Sequence, residues 1–89
     1  MKRSKQEIVS VILEVCKSGA NKTRIVYQAN LNFKTINPYL DILIKNGLIE
    51  LNQGNYKTTQ KGAILMGDLK QVNEKLYGHY EMESVQSEG

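Results

Sequence analysis

The segment LNFKTINPYLDILIKNG, residues 31–47, holds the side chains best suited to contact a polyanion. On a helical wheel with Ile36 at the origin, Leu40, Leu43 and Ile44 share one narrow arc, with Tyr39 at its edge. Lys34, Pro38, Asp41 and Lys45 fall opposite, and Asn37 lies beside them. Lys34 can reach a phosphate or a guanine. Asn37 matches the donor–acceptor edge of adenine, and Thr35 can bond a phosphate or touch a thymine methyl. Asp41 repels phosphates unless it meets a cytosine amine. A second set of donors, Gln53, Asn55 and Lys57, stands in NQGNYK, where Gly54 permits a turn. The plainer reading of both sets is a solvated helix face and an exposed hairpin turn.

Other chemistry is sparse. Cys16 and His79 are the only soft metal ligands, and they have no ligand spacing. They also form no nucleophile–base pair that a sequence reveals. Glu7 reads as part of a helix cap and Glu14 as part of a solvated face. The expectation is a protein that is not an enzyme, with no cofactor, metal or small-molecule ligand. Cys16, on an apolar helical pattern, reads as a small core hydrophobe. The opening MKRSKQEIVSVILEV is too short and too charged for a membrane span, and no cleavage site follows it. The expected location is cytoplasmic, associated with the nucleoid.

The net charge of +3 is unevenly spread. Residues 1–60 hold nine Lys/Arg against four Asp/Glu, whereas residues 61–89 hold three against five. The basic part favours polyanions.

Local signals set the elements. Ser4 and Glu7 match a capping box ahead of Ile8, Val11, Ile12 and Val15, which share a helical face, and Gly19 suits the stop. This predicts a helix over 5–18. Asn21 caps a second helix with Ile25, Val26 and Ala29 on its apolar side. Asn30 then enters the left-handed region at small cost. Asn32 caps a third helix that ends at Gly47. Strands over 48–51 and 55–59 flank the NQG turn, and alternation predicts Ile49 and Leu51 on the core face. Thr58 or Thr59 caps a fourth helix from about residue 60, whose seam is Ile64, Leu65, Leu69, Val72 and Leu76. Its heptad rhythm is short, and Gly67 and Gly78 weaken it.

Pro38 breaks the third helix pattern. Its missing N–H and its ring clash cost ~3 kcal/mol or more in a helix interior. A helix that starts at Asn37 avoids this but stretches the turn before it to about eight residues, where three or four are preferred. The expectation is therefore an early start near Asn32, with a bend at Pro38. There the unpaired Lys34 carbonyl faces water.

Two short helices joined by a tight turn, followed by a hairpin, describe a winged helix-turn-helix. The expected fold is mainly α with a small β-hairpin. Residues 1–60 form the DNA-binding domain, 61–82 a long C-terminal dimerisation helix and 83–89 a disordered tail. Leu65, Leu69, Val72 and Leu76 form a stripe that a second copy can cover, and Tyr77 and Tyr80 can extend the contact.

The chain resembles the small archaeal winged-helix DNA-binding proteins of about ten kilodaltons. The resemblance rests on EIVSVILEVCKSGANKTRIVYQANLNF, on YLDILIKNGLIE and on YKTTQKG, and covers roughly residues 5–76. It implies binding of double-stranded DNA and a homodimer made by an antiparallel coiled coil. It also places Lys22, Thr23, Arg24 and the start of the third helix, from Asn32, near the DNA. Such proteins include chromatin-like members and transcription regulators. Two departures stand out. The heptad run is short, which predicts a weaker or rearranged dimer. Thr58 takes a wing position where an aliphatic residue is common, which predicts a looser second strand. The alternative function is a winged-helix module that binds protein within a larger assembly.

Overall fold

The computed structural model describes residues 4–73. The order is α1 (Lys5–Val15), α2 (Lys22–Ala29), α3 (Phe33–Lys45), β1 (Ile49–Asn52), β2 (Asn55–Thr58) and α4 (Gln60–Asn73). A 3-10 turn, Cys16–Ser18, follows α1, so the α-helix stops earlier than the expected residue 18. Gly19 sits at φ 97° and releases the chain into Ala20. Ser4 starts α1: its hydroxyl accepts the Glu7 N–H at 3.1 Å and lies 3.3 Å from the Glu7 carboxylate. This is half of a capping box, with the glutamate meeting the hydroxyl.

Asparagines set the helix-turn-helix. Asn21 Oδ1 accepts the Arg24 N–H at 2.8 Å, and Asn32 Oδ1 accepts the Thr35 N–H at 2.7 Å. Between them Asn30 takes φ 56°, ψ 46°. The Leu31 N–H then returns to the Val26 carbonyl at 3.1 Å and the Asn30 N–H to that of Tyr27 at 3.2 Å. This is the Schellman pattern, with asparagine where glycine is usual. The same pattern closes α3, where Gly47 (φ 72°) bonds Ile44 at 3.0 Å and Leu48 bonds Leu43 at 2.9 Å.

Because Asn32 caps it, α3 starts early and runs through Pro38. Ile36, Leu40 and Leu43 are buried, while Lys34 and Pro38 are exposed. Water can therefore offset part of the lost hydrogen bond. Ile8, Ile12, Leu13, Cys16, Ile25 and Ala29 meet the α3 residues in one core, closed below by Ile49, Tyr56 and Met66.

The strands pair antiparallel, with Asn52 opposite Asn55 and Leu51 opposite Tyr56. Gln53 (φ 52°) and Gly54 (φ 78°) both take positive φ, the sign pattern of a type I′ turn. Each strand lies within a residue of its expected place. The alternation holds only in part: Ile49 is buried, but Leu51 is 49% exposed, and Tyr56 from β2 fills the core. Ala20 adds a third, single-residue rung. Its N–H reaches the Tyr56 carbonyl at 2.9 Å, and its carbonyl accepts the Tyr56 N–H at 2.7 Å.

Thr58 does not loosen β2. Its hydroxyl donates to the Leu13 carbonyl at 2.7 Å, tying the wing to the end of α1. An aliphatic side chain there has no donor for that oxygen. We expect Thr58→Val, nearly equal in volume, to lower stability by about 0.5–1.5 kcal/mol, the net worth of one part-buried hydrogen bond. Urea denaturation checks this; an unchanged midpoint would refute the tether.

Thr59, the N-cap of α4, accepts the Gly62 N–H at 3.0 Å and donates to the Gly47 carbonyl at 2.6 Å. Lys61 Nζ donates to the Asn46 carbonyl at 3.0 Å. The start of α4 thus satisfies carbonyls left over at the end of α3. Leu65 and Leu69 are half-buried and Ile64 is 61% exposed. Of the expected seam and its extension, the Val72 side chain, Leu76, Tyr77 and Tyr80 lie outside the described residues, as does the tail over 83–89.

Candidate nucleic-acid interface

The expected contact residues fall on three adjacent elements. Thr23 and Arg24 are exposed in the first turn of α2, and Lys22 is half-buried beside them. Lys34, Thr35, Asn37 and Lys45 are exposed on α3, and Gln53, Asn55 and Lys57 on the wing. Buried Ile36 and Leu40 hold the α3 face outward, and the two asparagine caps fix where each helix begins.

These side chains are not equivalent. Asn32 is exposed, but its amide oxygen is committed to the Thr35 N–H. Asn55 sits beside the wing turn, opposite Asn52, and close enough to Gly19 that a Cβ there would lie 2.7 Å from its Nδ2. Lys57 lies directly across the strands from Glu50, so its charge is offset. Lys45 shares its face with Asp41 one turn earlier. Lys34 and Arg24 have no such neighbour in sequence: from Glu14 to Asp41 the chain has no acidic residue between. The exposed polar residues of this run, among them Thr23, Arg24, Lys34, Thr35 and Asn37, lie on the outer sides of α2 and α3. Glu14 itself is partnered rather than simply solvated, 3.6 Å from Lys70 of α4.

Sequence reasoning missed two aromatics. Tyr27 is 85% exposed and Phe33 48%. With Thr23, Val26, Asn30 and Leu31 they line a groove of about 560 Å³ along the outer side of α2. The signal was available for Tyr27, which lies opposite Ile25 and Ala29 on the α2 wheel.

Cys16 is fully buried, and burial pushes its thiol up to about 11. It is protonated at neutral pH and packs as an apolar group. Among the described residues no group of three or more His, Cys, Asp and Glu is placed to hold a metal. No described helix is long and apolar enough to cross a membrane.

Comparison with known proteins agrees with this architecture. An uncharacterized protein of Methanocaldococcus jannaschii is 39% identical over 74 residues, which cover 82% of this chain and 76% of that protein. A second from the same organism is 34% identical over 77 residues, covering 82% of this chain but only 36% of the larger protein. Among solved structures, the chain is similar to Sso10a-2, a DNA-binding protein from Sulfolobus solfataricus. The TM-score is 0.80 at 29% identity, with 97% of this chain and 95% of that one covered. The winged helix-turn-helix family matches residues 2–77, most of the sequence, and the chain belongs to that family.

Proposed function

We propose that this protein binds duplex DNA, with α3 in the major groove and the wing on the phosphate backbone. The acid-free run on the outer sides of α2 and α3 carries this reading. Its likeness to a solved DNA-binding protein supports it. In this reading Lys22, Thr23, Arg24 and Asn32 approach the backbone around the start of α3. Lys34, Thr35, Asn37 and Lys45 face the groove, and Gln53, Asn55 and Lys57 follow the neighbouring strand. The protein acts on the genome in the cytoplasm, as a transcription regulator or an architectural component of the nucleoid, without enzymatic chemistry.

Salt tests it. Each neutralised phosphate contributes about −0.9 to the slope of log K against log salt. Fluorescence anisotropy on a short duplex is expected to give a clearly negative slope, which Lys34→Ala makes shallower by about 1. Lys57→Ala has a smaller effect because Glu50 stands opposite. Both variants keep parental stability within about 0.5 kcal/mol. No binding at low salt, or a slope of zero, rules the function out.

The working unit in this reading is a homodimer formed by α4. Exposed Ile64 and half-buried Leu65 and Leu69 support it, since covering them against a copy removes apolar surface from water. The expected result is a dimer at micromolar concentration in analytical ultracentrifugation. Truncation after Met66 is expected to give a folded monomer with weaker DNA affinity, because two linked half-sites become one. A monomeric full chain, or a truncated chain that stays dimeric, would exclude this interface.

A further inference from the structure

The duplex reading uses Thr23 at one end of the groove along α2 but gives the exposed rings of Tyr27 and Phe33 no role. Neither Tyr27 nor Phe33 belongs to the core or to the half-buried residues packed on it. The turn between the helices closes through backbone bonds, Leu31 to Val26 and Asn30 to Tyr27, and uses neither ring. The groove is large enough for a small planar group. Its polar lining, the Thr23 hydroxyl and the Asn30 carboxamide, can hydrogen-bond the edge of such a group. Its rim is cationic, with Arg24 one turn before Tyr27, Lys34 directly after Phe33, and no acid between Glu14 and Asp41.

Exposed rings among cations complement a ligand that has both flat apolar faces and phosphates. A duplex offers the phosphates but keeps its base faces inside its own stack. An unpaired strand offers both. The two modes share Thr23 and the cations Arg24 and Lys34, and differ in the rings. Tyr27 and Asn30 lie on the side of α2 away from Ile25 and Ala29 and belong to the groove alone.

We propose that this groove binds single-stranded DNA, seating an unpaired base against Tyr27 and Phe33 with its phosphates toward Arg24 and Lys34. The proposal rests on the reading of this surface as DNA-binding, but not on the duplex mode. The test compares the full chain on labelled oligothymidylate of about 12 nucleotides with a hairpin duplex of equal phosphate number. Tyr27→Ala is expected to weaken the single strand about tenfold or more, the scale of one lost base stack. Duplex affinity stays within about twofold, and Tyr27→Phe restores the single-strand value. Because the chain has no tryptophan, Tyr27→Trp adds one indole, whose fluorescence is expected to be quenched by oligothymidylate and not by the duplex. Equal loss on both ligands, or no loss on the single strand, overturns the assignment. Tighter binding of oligouridylate than of oligothymidylate overturns it in favour of RNA. Single-strand binding without duplex binding supports this site while refuting the duplex function; the converse refutes only this site.

Discussion

Gly62→Ala is expected to destabilise the domain by about 2 kcal/mol or more, against the direction that helix propensity predicts. Gly62 lies in the first turn of α4, where alanine is intrinsically better by up to about 1 kcal/mol. An added Cβ, however, overlaps the Leu48 carbonyl oxygen and lies 2.8 Å from Thr58 Cγ2. Overpacking costs about 1–3 kcal/mol when side chains can adjust. Here the obstacle is backbone, held by the Thr59 N–H bond to the Leu48 carbonyl at 3.0 Å. Sterics should therefore win. Gly67→Ala is the control: nothing lies within 4 Å of its Cβ position, so the propensity gain alone remains and stability rises. Thermal unfolding followed by circular dichroism separates the two. A Gly62 variant as stable as the Gly67 variant would show that α4 does not press on the β1 entry.

Ile36→Ala is expected to cost about 2–5 kcal/mol, the range for a fully buried aliphatic truncation. Ile36 has no exposed surface and lies under the α3 turn that carries Lys34, Thr35 and Asn37. For a small domain with about 5–15 kcal/mol in total, this is a large share. Heating should melt the variant many degrees below the parent. The contrast with Lys34→Ala is diagnostic: one loses stability first and binding as a consequence, the other binding alone. An Ile36 variant of parental melting temperature would mean that the core does not hold the α3 face.

What the sequence disclosed was mostly local. Ser4, Asn21 and Asn32 read as caps because each bond spans three residues, Thr59 was one of two candidates for the fourth cap, and Asn30 read as a turn because few residues take positive φ cheaply. The early start of α3 followed from comparing the proline penalty with turn length. The third sheet rung was not legible, since Ala20 and Tyr56 are far apart in sequence and alanine carries no strand signal. Thr58 misled for a related reason: the expectation came from the aliphatic residue that similar proteins carry there, and only the folded chain brings the Leu13 carbonyl to its hydroxyl. Gly62 gave no sign of being obligatory, because the Leu48 carbonyl comes from another element. At the site, charge and polar faces were legible from spacing. The aromatic groove was not, because Phe33 falls near the core arc of its wheel and its exposure depends on how α2 docks.

Pro38 divides α3 into two parts of unequal cohesion. The Asn32 cap and the buried Ile36 secure the opening turn, and the rung that would join Lys34 to residue 38 is missing. Local opening of that turn therefore disturbs less of the ladder than fraying in an uninterrupted helix, while Leu40 and Leu43 keep the rest anchored. The residues that face outward from the opening turn sit on a turn with one ladder bond fewer than an uninterrupted helix would have, held from beneath by Ile36. The same break means that a loss of that turn would stop at Pro38, with Leu40 and Leu43 still seated in the core behind it.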